Sequence, residues 1–204
     1  NRVIVVAQVS KTLAFEFVTD KVVFAMMCIV LVFSDYYQLA ILQSSVHSVW
    51  TWKYGSTMRN IGIRYSPTDV FINFPFPPGF EPNDSSVSNA PLHEILDSLG
   101  SQLDRFRHEI MLKLDIGLTK LYNLYHTPNL DASAVKKESK CSDADAEWAV
   151  PKILTLRGIH KSIDEAVRDA YGWNDLPLQH GFHELEFLPE NDRIRYTISN
   201  DARK

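Results

Sequence analysis

Prolines crowd one stretch of this 204-residue chain and divide it. Pro75, Pro77, Pro78, Pro82 and Pro91 fall within 17 residues, together with Asn83-Asp84-Ser85-Ser86. Proline fixes φ, donates no backbone hydrogen bond and pushes the preceding residue out of the helical region. No regular element can run through such a stretch, so the chain is predicted to split there. The texture differs on the two sides. Before it, β-branched and aromatic runs read as strands; after it, apolar residues recur at three- and four-residue steps. The expectation is an α+β protein, with a small mixed region of strands and a helix over 1–80 and a mostly helical region over 90–204.

In the first region, strands are expected at 3–9, 14–18 and 22–33, with turns at Lys11-Thr12 and Thr19-Asp20-Lys21. Residues 22–33 form the longest apolar run. Its twelve residues fall short of the ~20 that a membrane helix needs, and its Val, Ile and Phe content points to buried strand. Asp35 is a candidate N-cap for a helix through Tyr36 to Ala40. The period continues through Leu39, Leu42, Val46, Val49 and Trp50 until Gly55. In the second region, Leu92, Leu96, Leu99, Leu103, Phe106, Ile110 and Leu114 define a long helix. Thr119 is expected to cap a short one ending before Pro128. Residues 132–149 are polar and charged and are predicted to be a linker or mobile loop. A further amphipathic helix is expected from Pro151 to about Tyr171, ended by Gly172, and a strand at 194–198.

Hydrophobic residues make up 45% of the chain and charged residues 23%, a composition ordinary for a globular domain. No signal-peptide pattern is present. Cys28 reads as a small core hydrophobe and Cys141 as a linker thiol, with no disulfide framework, which fits a reducing compartment, the cytoplasm. The chain begins at Asn1 and is almost at once in a strand pattern, so a larger protein is expected upstream. Net charge is −4, with +2 over residues 1–80 and −6 over the remainder. Any surface facing a polyanion therefore belongs in the first 80 residues.

Candidate chemical sites are few. His180 and His183 lie too close to one another and too far from His160 to supply a converging zinc set, so a structural loop is favoured there. Asp143, Asp145 and Glu147 near Glu138 lack the glycine of a calcium loop and read as a solvated acidic loop. There is no G-x-S-x-G nucleophile elbow and no glycine-rich phosphate loop. The segment Trp50 to Phe76 is the most unusual. It places Arg59, Arg64, Ser66 and Thr68 between a helix and the proline exit; arginine can fork onto guanine or phosphate, and hydroxyls suit phosphate.

In this segment Arg64-Tyr65-Ser66-Pro67-Thr68-Asp69-Val70-Phe71-Ile72-Asn73-Phe74-Pro75-Phe76-Pro77 resembles the signature that ends the target-recognition domain of fused, type IIG-like restriction–modification adenine methyltransferases and of related phage-defence methylases. Val9-Ser10-Lys11 resembles the V-S-K turn of that family, Leu42 through Trp50 its helix, and Lys53-Tyr54-Gly55-Ser56 the turn after it. Glu109 to Leu112, Gly117 to Asn123, Asp164 to Val167, Ala170 to Trp173 and Arg195 to Ser199 resemble its carboxy-terminal helical region. The match spans nearly the whole chain in the right order. Departures are Asn73 where Thr is usual, and the absence of the Asn-Pro-Pro-Tyr methylase motif, the glycine-rich cofactor loop and any nuclease motif.

The resemblance implies sequence-specific recognition of double-stranded DNA within a larger enzyme. Side-chain chemistry then suggests Ser10 and Lys11 against phosphate, and Arg59, Arg64, Tyr65, Ser66 and Thr68 near phosphates or base edges. No catalytic residue, metal or cofactor is expected in this chain; S-adenosylmethionine is expected in the parent, which would methylate adenine with or without cutting DNA. Expected partners are duplex DNA and the parent's methylase core, with no membrane. A module that docks the methylase core with little DNA contact is the alternative, and an acidic protein-interaction domain a third.

Overall fold

A computed structural model describes residues 1–58, 62–81 and 90–204. The predicted break at the prolines lies largely in residues 82–89, outside the described residues. Three short strands open the chain. β1 (Arg2–Ala7) is central, antiparallel to β3 (Glu16–Thr19) on one side and β4 (Cys28–Leu31) on the other, with Ile4 opposite both Phe17 and Leu31. Ile4 and Val6 face the core, following the period of two. Since β3 and β4 both oppose β1, they are parallel to each other, and residues 20–27 carry the chain from one end of the sheet to the other.

That crossing corrects the reading of 22–33 as buried strand. Only Cys28–Leu31 pairs, and Val23 is 100% and Met26 91% exposed, with Val22 and Met27 also in solvent. The backbone is held at its ends, by Asp20 N–H to the Asn1 carbonyl and Gln8 N–H to the Met27 carbonyl. Side chains on its outer side have nothing above them to pack on. Cys28 is accordingly half-buried instead of a core residue.

A second small sheet joins β2 (Val9–Ser10), β6 (Gly62–Arg64) and β5 (Ser56–Met58), with β6 in the middle. Gly62 makes it possible. Its φ is +136°, and a Cβ there would stand 2.3 Å from the Ser10 carbonyl oxygen.

Helix α1 (Tyr36–Gln43) is capped at Asp35, whose N–H donates to the Gln38 Oε1. Gln38 through Gln43 are all buried, so α1 is a core helix, covered on every side, with Gln43 hydrogen-bonded to the Leu13 carbonyl and Phe15 N–H. The expected continuous helix over 39–52 is broken. Ser44 is extended (φ −66°, ψ 156°), and its hydroxyl donates to the Ile41 carbonyl and accepts from His47 N–H, starting α2 (Ser45–Tyr54). The next residue fixes the bend: Ser45 donates from N–H and hydroxyl to the Asp164 carboxylate at 2.6 and 2.7 Å. Gly55 ends α2 as predicted.

The helical region comprises α3 (Ala90–Leu114), α4 (Leu118–Tyr125), α5 (Ala132–Ser139) and α6 (Asp143–Ala170), then a hairpin of β7 (Gly181–Glu184) and β8 (Ile194–Thr197). Helix α3 lies on α1 so closely that a Cβ on Gly100 would reach 2.0 Å from the Tyr36 carbonyl oxygen. Residues from both regions share one core cluster.

Residues 132–149 are not a loop. Asp131 caps α5, Lys140 closes it in the left-handed conformation (φ 60°), and Ser142 caps α6 by accepting from Asp145 N–H. The acidic residues 143 and 145 stand in the first turn of α6, where the helix dipole favours them, and pair with Lys136 and Lys113. The apolar anchors are few and mostly small: Val135, Ala146 and Ala149, all 0% exposed, with half-buried Cys141 packed beside them. Pro151 therefore sits inside α6 instead of starting it, and Gly117, not Thr119, precedes α4. Gly172, at φ +73°, follows the end of α6. Among the described residues no helix is long and apolar enough to cross a membrane.

Candidate nucleic-acid interface

The predicted interface residues are built on β2, β6 and the turn that follows. Arg64 does not lie in a loop, as expected, but ends the middle strand. Its neighbour Ile63 is fully buried, which turns Arg64 to the opposite, exposed face. Val9 and Ser56 stand opposite Arg64 in the flanking strands and share that face. Among the described residues the Arg64 guanidinium has no carboxylate within 4 Å and no hydrogen bond to a side chain or carbonyl. It therefore does not tie the following turn together through carbonyls or Asp69 among the described residues.

Pro67–Phe71 form a single π-helical turn. Ser66 starts it, its hydroxyl accepting from Asp69 N–H at 3.2 Å and lying 3.1 Å from the Thr68 hydroxyl. Asn73 Nδ2 donates to the Thr68 and Asp69 carbonyls, and Trp50 Nε1 on α2 donates to the Val70 carbonyl at 3.0 Å. These bonds hold Thr68 and Asp69, both exposed, in a fixed turn that follows Arg64 in the chain.

Tyr65 is corrected from interface to core. It is 0% exposed, edge-on to Phe15, and its hydroxyl lies 3.2 Å from His47 Nε2. His47 Nδ1 lies 2.7 Å from the Leu42 carbonyl, which can only accept; Nδ1 thus carries the proton and Nε2 takes the tyrosine's. Burial drives the His47 pKa down to about 4, in keeping with a neutral ring, and drives the Tyr65 phenol upward. Phe74 and Phe76, both buried, meet edge to face, so the aromatic half of the signature is packing.

Lys11 and Ser10 are less available than expected. Lys11 Nζ pairs with Asp192 at 2.6 Å, beside the helical region's hairpin. The Ser10 hydroxyl donates to the Thr12 carbonyl and accepts from Thr12 N–H, closing the turn between strands. Arg59 lies outside the described residues. The structure thus joins Ser66 and Thr68 through their hydroxyls, close in sequence to exposed Arg64, and buries Tyr65. It adds Ser56, exposed on β5 opposite Arg64, which the site reading had passed over; the next hydroxyl residue, Thr57, pairs with Ile63 and belongs to the other face. The signal for Ser56 was adjacency: a hydroxyl residue directly after the helix-ending glycine.

The histidine pair has no common focus. His180 is buried against the Asp164 carboxylate at 2.8 Å, and His183 Nε2 is 2.9 Å from the Gln179 carbonyl. Both stand at or inside the β7 strand in place of a loop.

The exposed polar groups, with an arginine unpaired among the described residues, are thus carried on the middle strand of a small sheet and the turn after it. Residues 2–78 match the family model described as MmeI, target recognition domain. The fold is similar to that in a solved structure of the Type IIL restriction-modification enzyme MmeI in complex with DNA, at 17% identity and a TM-score of 0.50 over 85% of this chain. The chain spans 19% of that protein's length. No curated protein matches it.

Proposed function

We propose that this chain recognises double-stranded DNA on behalf of a larger, cytoplasmic restriction–modification enzyme, with the strip around Arg64 as its reading edge. The observation that carries the reading is Arg64 itself: exposed, unpaired among the described residues, and seated in the segment matched to a target-recognition family. An arginine fork fits guanine O6 and N7 in the major groove or a phosphate. Ser66 and Thr68 present hydroxyls from a turn that is already ordered, so little entropy is lost on contact. Lys11 would have to leave Asp192 to reach a phosphate, which makes it the weaker contact.

Methyl transfer belongs, in this proposal, to the parent's methylase core, which would flip an adenine from the duplex as part of phage defence. S-adenosylmethionine supplies the methyl group there. The eight glycines of this chain are dispersed, with no run to cradle that cofactor, so its residues choose the site and take no chemical step.

The net charge of −4 predicts weak binding by the chain alone. Anisotropy titration of labelled duplex and single-stranded oligonucleotides at low salt tests the reading. Duplex is expected to bind more tightly, and Arg64→Ala to weaken it; equal, arginine-independent binding of both would contradict it. A docking module is the second reading, favoured by the bare apolar crossing of Val23 and Met26. A parent enzyme that keeps normal site choice with both Lys11→Ala and Arg64→Ala would support that one.

A further inference from the structure

Where β3 meets α3, two carboxylates and an imidazole converge beside a single guanidinium, that of Arg107. Glu16 opens β3; Asp104 and His108 lie one turn apart on α3 and so share a face. One ligand atom from each lies within 4.8 Å of the other two. His108 Nδ1 is 3.5 Å from Asp104 Oδ1 and 3.8 Å from Glu16 Oε1. Both Glu16 carboxylate oxygens and Asp104 Oδ1 are shut off from solvent and lack a hydrogen-bond donor among the described residues. Buried acceptors are rarely left bare, and three bare ones at one point call for a cation.

We propose that Glu16, Asp104 and His108 form a site for a divalent cation of the zinc or manganese class that clips the strand region to the helical region. Metal bonds of ~2.0–2.2 Å in tetrahedral geometry put ligand atoms about 3.4 Å apart, close to the spacing already present. One imidazole and two carboxylates make a mixed nitrogen and oxygen set, suited to these ions. The charge allows it. Arg107 approaches Glu16 Oε2 to 3.2 Å, but its guanidinium also donates to the Phe15 carbonyl at 2.6 Å and reaches Gln43 and Tyr122. One guanidinium against two carboxylates leaves a single negative charge for the ion to meet. His108 is half exposed, its side chain at 48%, which gives a path of entry. His108 Nδ1 also lies 3.0 Å from the Asp104 carbonyl, a contact it gives up to hold an ion, and the competing occupant is a proton shared by Glu16 and Asp104, whose burial and mutual approach raise the Glu16 carboxyl.

The test is thermal unfolding of the full, chelator-stripped protein with zinc or manganese chloride added, paired with calorimetric titration. One equivalent is expected to bind. At a hundredfold excess over Kd the midpoint is expected to rise by about 5–10 °C. His108→Ala, a half-exposed position that should fold, and the isosteric Asp104→Asn should each lose the rise. Their own midpoints without metal show that they are folded. No rise in the parent protein, or an equal rise in both variants, would overturn the proposal. So would a midpoint that responds to pH alone and not to metal, which would assign the cluster to a proton.

Discussion

Two connecting segments of the strand region exchange the roles that composition would give them. Residues 22–27 open the longest apolar run in the chain, yet Val23 is fully exposed. Residues 65–76 carry the polar signature, yet Tyr65, Val70, Phe74 and Phe76 are buried and the segment is tied to α2. The first connects two strands by crossing the sheet, and its backbone is secured only at its ends. The second wraps its aromatic side chains onto α2 and leaves polar groups outside. Burial in short segments follows from what the neighbours offer, and only loosely from hydrophobicity.

Substitutions that separate the two segments should differ most. Tyr65→Ala is expected to cost about 3–5 kcal/mol in denaturant-melt stability, since it removes a fully buried ring and leaves His47 Nε2 without its donor. A loss below about 1 kcal/mol would mean that the segment is not packed as described.

The same packing makes stability sensitive to acid. Burial lowers His47 to about 4 and His160 to about 3, against an ordinary value near 6.5, so the unfolded chain takes up protons that the folded chain refuses. Stability is then fully kept above pH 6.5 and falls as pH drops, by about 1.4 kcal/mol per unit for each histidine, levelling only near their folded values. Urea midpoints from pH 7.5 to 5 check the sign. A flat profile would contradict the buried neutral rings.

Gly62→Ala should cost about 1–3 kcal/mol, because φ of +136° and the Ser10 carbonyl both oppose a side chain. At the other extreme, Val23→Ser should change stability by less than about 0.5 kcal/mol, measured in the same melts. A large loss there would place the crossing under a cover that the fold does not show.

Much of this architecture was legible. The three- and four-step period from Leu92 to Leu114 marks α3, and glycines 55 and 172 mark helix ends, because these signals are local. The rest depended on distant partners. Ser44 breaks a helix because Asp164, far along the chain, holds Ser45. Lys11 is paired by Asp192, which no spacing rule could reveal. Helix α5 and the start of α6 hid behind charged residues, since alanines 146 and 149 give a weak apolar stripe. At the candidate site, Arg64 was legible as a polar residue, which the fold leaves exposed, whereas Tyr65 was misread because its hydroxyl can serve a buried histidine as well as a ligand.

The central claim is that the strip around Arg64 reads duplex DNA while the aromatic layer beneath only supports it. Arg64→Ala in the full-length protein, with melting and duplex titration on the same preparation, addresses it most directly. The account predicts stability within about 0.5 kcal/mol of the parent protein and duplex affinity reduced at least tenfold, about 1.4 kcal/mol or more. Unchanged affinity in a folded variant would contradict it.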